Sequence, residues 1–505
     1  MSSQFGNKNV TKARKRATAV AAVVTDEAPL FSSALTNESA AVHRRNSAAA
    51  ELDILPEDAT FPVFSGVDTL SSLSSTVGLE IDEFIICPPH GAVVKGWLLG
   101  LPGYVKAVRI GSGPRSACID FARTVPVQRP DVVQAIGARY GTLEPACGFI
   151  AYLPDVVTEG ALLHVEVELH NGERGAKGIT PSRKRGNEAV RAVLEGIDCR
   201  YADVDGFFDA VFGPAVRALS AERLAEPFEV EQVAYGVQPA KPECTLVIPL
   251  YGRIDYLEYQ LALLSADPAS RNLDILYVLD DPPQRLELLA LAEVVYARFR
   301  LPFRLLLSSR NRGLGPASNL GLKAARAPFV AFVNSDVFPV TAGWIGKLVA
   351  RLRKDPKLGA VGPRLLYADG SIQHEGCFFR PLAEFGGWTF VEHTNKGRRP
   401  SETGELVSAP MITAACLVMP MPLARELGGF DESYVIGDFE DADLCRRIAR
   451  QKLAVAVDTS VVCHHLERQS QARLGGHWRM NLTLFNAWVH QRRWIGPATQ
   501  KAGKP

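Results

Sequence analysis

Residues 328–339 read Pro-Phe-Val-Ala-Phe-Val-Asn-Ser-Asp-Val-Phe-Pro and decide the predicted fold of the chain. The run 329–333 is entirely apolar, and Asn334, Ser335 and Asp336 follow it at once. A short apolar run that ends in a carboxylate is typical of a central parallel strand that delivers an acid to the carboxyl edge of a sheet. Open α/β sheets bind their ligands at that edge. Asp336 also suits a turn or a helix cap, so this stretch alone assigns it no function.

Strands and helices alternate on both sides of this stretch. The predicted strands lie at 245–250, 274–279, 303–307, 360–366, 415–419 and 454–463, and the predicted helices at 256–264, 286–299, 316–325 and 343–353. This β-α-β order requires right-handed crossovers and a mostly parallel sheet. We therefore predict an α/β fold with a Rossmann-like sheet over residues 241–475.

The segments outside residues 241–475 differ from that range in composition and in the spacing of their apolar residues. Residues 1–60 contain few large apolar side chains, which predicts a disordered tail. Residues 61–182 alternate apolar and polar positions between Gly and Pro, which predicts a β-sandwich-like domain; it is either a binding module or a structural appendage. Apolar residues at helical spacing predict a helical connector and linker over 183–240. Residues 476–505, with tryptophans and arginines, are predicted to be a C-terminal helical tail.

Composition limits the class of protein. Among 505 residues, 47% are hydrophobic and 22% charged, which is ordinary for a globular protein. The net charge is only +1, so the chain has no overall excess of positive charge to attract nucleic acid, and we expect no nucleic-acid partner. Nine cysteines without a CxxC pair argue against a zinc ribbon and favour a reducing compartment. No apolar run reaches about 18 residues, so we expect no spanning helix. With the reducing compartment, the expected location is cytoplasmic.

Polar residues that end the predicted strands could bind a nucleotide. Asp280 ends the second strand, where a carboxylate can accept a hydrogen bond from a base N–H; it also suits a turn before Pro282. Asn311 and Gly313 precede a helix that contains Asn319, and glycine lets the backbone approach an anion at a helix N-terminus. Neither a dinucleotide fingerprint nor a P-loop occurs in the sequence.

Two further groups of residues suit catalysis. Asp336 together with His464 or His465, at the end of the last strand, could hold Mn²⁺ or Mg²⁺, although such histidines are more often structural. Glu440 and Asp441 lie at the start of a predicted helix. They could cap that helix or supply a general base, and the sequence leaves both interpretations open.

Together these motifs resemble a known family. Residues 244 to about 470 resemble family 2 glycosyltransferases, the inverting GT-A type. The resemblance is carried by Val247-Ile248-Pro249-Leu250-Tyr251-Gly252-Arg253, Asp280-Asp281, Asn311-Arg312-Gly313 with Asn319-Leu320-Gly321, Asn334-Ser335-Asp336-Val337, Gly428-Gly429-Phe430-Asp431, Glu440-Asp441-Ala442-Asp443-Leu444, and His465 with Ser470. The Asn-Ser-Asp-Val form is similar to the rhamnosyltransferase-like branch, whose members often build surface polysaccharides.

The resemblance implies a nucleotide-diphosphate sugar donor, a glycan or lipid-linked glycan acceptor, and Mn²⁺ or Mg²⁺ as cofactor. It implies a donor site formed by Pro249, Tyr251, Arg253, Asp280, Asn311, Gly313, Asn319 and Ser335. It also implies that Asp336 holds the metal with His465 or His464, that Asp441 beside Glu440 is the base, and that residues 428–431 shape the acceptor side. The sequence departs from the family pattern at Asn334, where the usual DxD motif has its first acid, and at Pro282-Pro283, where Gly-Ser is usual.

The predicted function is therefore an inverting, metal-dependent glycosyltransferase for polysaccharide biosynthesis of a bacterial cell envelope. The alternative is a glycan-binding or scaffolding protein whose transferase domain has weak activity or none. A nucleotidyltransferase fits less well because residues 250–255 lack the Gly-rich loop that would hold a triphosphate. Peripheral contact with the inner membrane and formation of a homo-oligomer stay open.

Overall fold

The structure is a computed structural model that describes residues 64–101, 103–142, 144–196, 203–401, 404–466 and 476–496. The predicted disordered tail, residues 1–60, lies outside the described residues, and so does Ser470.

Residues 77–178 form two antiparallel four-stranded sheets. Their strands are β1 (Val77–Cys87), β2 (Gly91–Gly100), β3 (Val105–Ser112), β4 (Arg115–Cys118), β5 (Val125–Val127), β6 (Gly148–Leu153), β7 (Leu163–Leu169) and β8 (Arg174–Gly178). The strand orders are β1-β2-β6-β5 and β4-β3-β7-β8. Phe84, Val94 and Phe149 of the first sheet share one buried core with Ile110 and Val167 of the second. The predicted β-sandwich-like fold is therefore confirmed.

Helices connect the sandwich to the second half of the chain. After α1 (Pro130–Ile136) within the sandwich segment, they are α2 (Gly186–Glu195), α3 (Val204–Phe207) and α4 (Gly213–Ala225), with a π-helical turn at Phe208–Phe212. The ring of Phe208 lies 5.3 Å from that of Trp388 and 6.3 Å from that of Trp488. The indole N–H of Trp388 donates to Asp205 (2.7 Å), and that of Trp488 donates to Asp209 (2.8 Å). The connector thus shares its core with the second half.

An eleven-stranded sheet forms the centre of the second half. The strands of this half are β9 (Val230–Tyr235), β10 (Cys244–Leu250), β11 (Leu273–Leu279), β12 (Phe303–Ser308), β13 (Phe329–Val333), β14 (Val337–Pro339), β15 (Leu358–Leu366), β16 (Ile372–His374), β17 (Cys377–Leu382), β18 (Trp388–His393), β19 (Leu406–Ala409), β20 (Cys416–Pro420) and β21 (Ala454–His465). All but β17 and β18, which form a separate hairpin, join the large sheet.

The order in the large sheet is β14-β21-β15-β20-β13-β10-β11-β12-β9, with β16 beside β15 and β19 beside β21. Its centre, β13-β10-β11-β12, is purely parallel. Strands β15 and β21 run the same way, so six of the eleven strands share one direction. This confirms the predicted mostly parallel α/β sheet.

Helices cover both faces of this sheet. They are α5 (Tyr256–Ala266), α6 (Arg285–Phe299), α7 (Leu314–Ala324), α8 (Trp344–Lys354), α9 (Met421–Glu426), α10 (Glu440–Arg450) and α11 (Gly476–Trp494). Along β10, Leu246 and Ile248 pack into one core and Val247 into the other. A strand with a core on each face has no polar face, which explains the uninterrupted apolar runs.

Short 3₁₀ helices complete the described part, at Leu70–Leu73, Phe121–Arg123, Gly137–Tyr140, Pro268–Asn272, Pro282–Gln284 and Ala383–Phe385. In α11, Trp478 and Trp488 are buried, so neither indole is at the surface. Among the described helices, none combines the length and the apolar character needed to cross a membrane.

Candidate active site

Asp336 and His465 meet at the carboxyl edge of the sheet. Asp336 lies in the turn between β13 and β14, and the pairing of β14 with β21 places Val337 opposite His465. Oδ1 of Asp336 is 3.2 Å from Nε2 of His465, and both residues are buried. The other ring nitrogen, Nδ1, lies 2.9 Å from Oε1 of Gln373. An amide oxygen only accepts, so Nδ1 donates to Gln373, and Nε2 is the ring nitrogen that faces the carboxylate.

The structure distinguishes the two predicted histidines by position. Consecutive residues of β21 point to opposite faces of the sheet. Nδ1 of His464 lies 3.1 Å from the carbonyl oxygen of Tyr367, away from Asp336. The geometry therefore brings His465, and not His464, to the carboxylate.

Buried hydrogen bonds fix the turn that carries Asp336. Nε2 of Gln260, on α5, donates to the carbonyl oxygens of Asn334 (3.0 Å) and Val337 (2.9 Å). The amide of Asn334 donates to the carbonyl oxygen of Ala415 (2.8 Å), which ties the turn to the segment before β20. Ser335 lies between these anchors and is partly exposed.

Asp441 lies on the other side of that same segment. Its Oδ2 accepts from the backbone N–H of Ala414 (3.2 Å), and its Oδ1 accepts from that of Ala442 (2.8 Å). Burial raises the pKa of Asp441 above its usual range, against these N–H donors, and the charge of Asp438 raises it further. A carboxyl group with a raised pKa is suited to take a proton near neutral pH.

Glu440, which precedes it, is more deeply buried. Burial, together with the charge of Asp441, raises the pKa of Glu440 well above its ordinary value. Its Oε2 has no hydrogen-bond partner among the described residues. This environment favours the neutral acid, so of the two predicted catalytic carboxyl groups Asp441 is the better placed base.

A strained loop leads into these two acids. Ile436, Asp438 and Phe439 have φ values of 63°, 80° and 70°, in the left-handed region that β-branched and bulky residues rarely occupy. Asn486 on α11 holds the loop: its Oδ1 accepts from the amide of Val435 (2.9 Å), and its Nδ2 donates to the carbonyl oxygens of Val435 (3.1 Å) and Gly437 (2.6 Å). Such strain persists only where the surroundings enforce it.

Asp280 organises the predicted donor loop. Its two carboxylate oxygens accept from the backbone N–H groups of Arg312 (2.7 Å) and Gly313 (2.8 Å), and Nδ2 of Asn311 donates to its carbonyl oxygen (2.7 Å). Gly313 has φ +93°, which disfavours a side chain there. Burial raises the pKa of Asp280 to about 7, against the lowering effect of these N–H groups and of the Arg223 and Arg312 guanidinium groups.

The connector supports this loop through contacts that no sequence pattern marks. Nδ2 of Asn187, near the start of α2, donates to Oδ1 of Asn311 (3.0 Å). Nη1 of Arg223, on α4, donates to the carbonyl oxygen of Arg312 (2.5 Å). The predicted donor loop is thus held from both halves of the chain.

The remaining predicted donor residues lie around the end of β10. Tyr251 is 40% exposed, which leaves its ring accessible, and Pro249 is half-buried opposite Val278 of β11. Arg253 is already occupied, because its guanidinium makes two bonds to Asp255 (2.7 and 2.6 Å). Tyr251 is therefore better placed than Arg253 to meet a ligand.

Asn319 binds the predicted acceptor-side motif instead of pointing to solvent. Its Nδ2 donates to the carbonyl oxygen of Phe430 (2.8 Å) and to Oε1 of Glu432 (3.0 Å), and its Oδ1 accepts from the amide of Phe430 (2.8 Å). Arg447 adds bonds to the carbonyl oxygens of Leu427 (2.7 Å) and Gly429 (2.8 Å). The side chains of Asn319 and Arg447 therefore hold residues 428–431 in position.

Parts of the chain are similar to known proteins. Residues 245–383 match the model of the family described as glycosyl transferase family 2, which confirms the predicted resemblance for these residues. The O-antigen biosynthesis protein RfbC of Myxococcus xanthus is 23% identical over 393 residues, which cover 74% of this chain and 28% of that protein. The pre-mycofactocin glycosyltransferase of Mycobacterium tuberculosis is 30% identical over 138 residues, 27% of each chain.

The chain thus spans less than a third of the length of these curated relatives. Among solved structures, a mannosyltransferase from Pyrobaculum calidifontis in complex with GDP-Man and Mn²⁺ aligns with a TM-score of 0.35 and 17% identity. That alignment covers 60% of this chain and 76% of the mannosyltransferase.

Proposed function

We propose, from the match of residues 245–383 to glycosyl transferase family 2, that the chain transfers a sugar from a nucleotide-diphosphate donor to a glycan or lipid-linked glycan hydroxyl, with inversion. The acceptor we propose is a precursor of a bacterial envelope polysaccharide. The relative named for O-antigen biosynthesis, matched over 74% of this chain, supports this choice of acceptor.

One observation carries the proposal. The segment around Ala414 and Ala415 bonds on one side to the turn of Asp336, through the amide of Asn334, and on the other to the carboxylate of Asp441. A carboxylate–imidazole pair suited to a metal and a carboxylate suited to be a base therefore share one wall of the same edge. Inverting transfer needs these two functions near each other.

The residues at Asp336 fit a divalent ion. The carboxylate and the Nε2 of His465 face each other at 3.2 Å, and Gln373 holds the ring by its other nitrogen, as partners of metal-bound histidines do. An imidazole ligand favours Mn²⁺ over Mg²⁺. Bound there, the ion would offset the charge of the leaving diphosphate.

The protein's own groups supply the other parts of the proposed mechanism. The loop fixed by Asp280 and the exposed face of Tyr251 bind the nucleoside. Asp441 takes the proton of the acceptor hydroxyl, whose oxygen attacks the anomeric carbon from the side opposite the nucleotide. The bonds from Ala414 and Ala442 hold its carboxylate in place, so the base is oriented before the acceptor arrives.

The experiment combines donor binding with transfer. Thermal unfolding is measured against UDP-, dTDP- and GDP-sugars with and without Mn²⁺; a ligand at about a hundred times its dissociation constant adds about 2.7 kcal/mol. We expect a metal-dependent shift with one nucleotide class. We also expect Asp441→Asn to keep that shift and to lose at least about a hundredfold in transfer rate, the usual contribution of a general base.

Asp369→Asn is the matched control. Asp369 is exposed, and its Oδ1 accepts from the amide and the hydroxyl of Ser371 in the same turn. Transfer by Asp441→Asn at the wild-type rate would exclude Asp441 as the base. A folded protein that shifts with none of the donors would favour the alternative of a glycan-binding or scaffolding protein.

A further inference from the structure

Three side chains that bind transition metals meet beside the candidate active site. They are His374 at the end of β16, Cys377 at the start of β17 and His393 at the end of β18. The two Nδ1 atoms are 3.1 Å apart, and the Sγ of Cys377 lies 3.5 Å from that of His374 and 3.6 Å from that of His393. We propose that these residues bind a zinc-class metal ion, separate from the ion at Asp336.

The distances match tetrahedral coordination. With Zn–N of about 2.05 Å and Zn–S of about 2.3 Å, tetrahedral angles place two nitrogens about 3.3 Å apart and a nitrogen and a sulfur about 3.6 Å apart. The observed triangle of 3.1, 3.5 and 3.6 Å is this shape within about 0.3 Å. One ion can therefore contact all three atoms with only small movements of the side chains.

The backbone places the ligands without help from an ion. Cys377 and His393 are direct partners across the β17–β18 hairpin. Gly376, with φ +101°, turns the chain between His374 and Cys377, and a Cβ there would lie 2.9 Å from that of Ala409. His374 and Cys377 are fully buried. Because the three side chains are already held close together, metal binding has little conformational entropy of the ligands to offset.

The same atoms could instead form a hydrogen-bonded cluster without metal. In that arrangement Nε2 of His374 accepts from the amide of Thr413, and its Nδ1–H donates to His393. The Thr413 contact is 3.4 Å, which is long for such a bond. In the metal-free arrangement, a single proton joins the two imidazole nitrogens. The thiol of Cys377 then makes only long contacts with both rings, at 3.5 and 3.6 Å. Metal binding replaces these weak contacts by three strong bonds. It releases the thiol proton and moves the ring proton of His374 from Nδ1 to Nε2, which gives up the long contact with the Thr413 amide.

The ligand chemistry separates this site from the one at Asp336. A thiolate with two imidazoles selects Zn²⁺ or a similar soft ion, whereas a carboxylate with one imidazole suits Mn²⁺. The sites are neighbours along the chain: Gln373, which bonds to the ring of His465, directly precedes His374. Thr413, whose amide contacts His374, directly precedes Ala414, which bonds to Asp441. A bound ion would hold the β17–β18 hairpin against the wall that carries the proposed base.

The test measures metal content in the full chain, purified without a histidine tag. We expect about one zinc ion per chain by elemental analysis. Replacement by Co²⁺ should give the intense d–d bands of tetrahedral cobalt and a thiolate-to-cobalt charge-transfer band. Cys377→Ser and His393→Ala should each lower the zinc content at least tenfold, as should His374→Ala. Cys244→Ser, which alters a buried thiol in β10, should keep the zinc of the wild type.

The wild type alone also decides the proposal if the variants fail to fold. A strong chelator should remove the zinc and lower the unfolding temperature, and Zn²⁺, but not Mn²⁺, should restore it. The proposal is overturned if the wild type contains no zinc and gives no charge-transfer band with Co²⁺. It is also overturned if Cys377→Ser folds and retains the zinc. None of these measurements depends on transferase activity, so the proposed function can fail without affecting the outcome.

Discussion

At the level of single residues, Asp441 at the start of α10 and Asp438 in the loop before it are two carboxylates three positions apart. Asp438 raises the pKa of Asp441, although less than burial does. A base works only when deprotonated, so transfer should fall as the pH decreases through the raised pKa of Asp441. Asp438→Asn removes the like charge and should move this acid limb to lower pH, by less than about one unit since Asp438 is the smaller cause.

The pH profile of kcat/KM for the wild type and the variant measures this shift. An asparagine at 438 still offers an oxygen to Thr483, whose hydroxyl donates to Oδ2 of Asp438 (2.7 Å), so the loop keeps that bond. Asp369→Asn should leave the limb in place. If Asp438→Asn also leaves it in place, either Asp441 is not the group that titrates or Asp438 does not act on it.

At the scale of elements, the strands of the large sheet were predictable because both faces of each central strand are buried. The predicted bounds of β13 agree with the structure, and those of β10 to β12 differ by one residue. Asp336 and Asp441 follow from the resemblance. Asn486 and Gln373 could not be found, since their partners lie 51 and 92 positions away and no local pattern marks either one.

The His374 cluster illustrates the same limit. The sequence lacks a CxxC pair, which argued against a zinc ribbon, yet His374 and Cys377 have the two-residue spacing of many metal ligands. The third ligand candidate, His393, is recognisable only once β17 and β18 are paired. Cross-strand register, and not sequence spacing, brings it to the other two.

The contact between α11 and the strained loop gives a prediction for an element. Asn486 is fully buried, and Asn486→Ala leaves the amide of Val435 and the carbonyl of Gly437 without this partner. Each such loss costs about 1–3 kcal/mol, so the two together should destabilise the protein by roughly 2–6 kcal/mol. Because the loop leads into Glu440 and Asp441, kcat should fall more than donor affinity. Chemical denaturation and transfer kinetics measure the two effects.

Asn481 on the same helix provides the matched control. It is also buried, but its Nδ2 donates to the carbonyl oxygen of Leu194, on α2, instead of to the loop. Asn481→Ala should lower stability by a similar kind of loss while kcat of the remaining folded protein stays near that of the wild type. Equal effects of both variants on kcat would mean that the loop has no special link to the proposed chemistry.

At the scale of the whole molecule, the connector has two sets of partners. Toward the second half, Asp205 and Asp209 accept from Trp388 and Trp488, and Arg492 bonds to both acids. Toward the first half, α2 packs in one core with Ile85, Val93 and Ile150 of the sandwich. The predicted domain boundary near residue 240 follows a change in composition, yet the hydrophobic core continues across it.

This continuity predicts how fragments of the chain behave. A fragment of residues 183–505 keeps the connector, so it should unfold in one cooperative transition, at a lower temperature than the full chain. A fragment of residues 241–505 lacks Phe208 and its neighbours, which leaves Trp388 and Trp488 uncovered. Two exposed indole rings in place of a buried core favour aggregation of this fragment. Calorimetry and near-ultraviolet circular dichroism compare the two; a cooperative transition of 241–505 at the temperature of 183–505 would show that the connector is not part of that core.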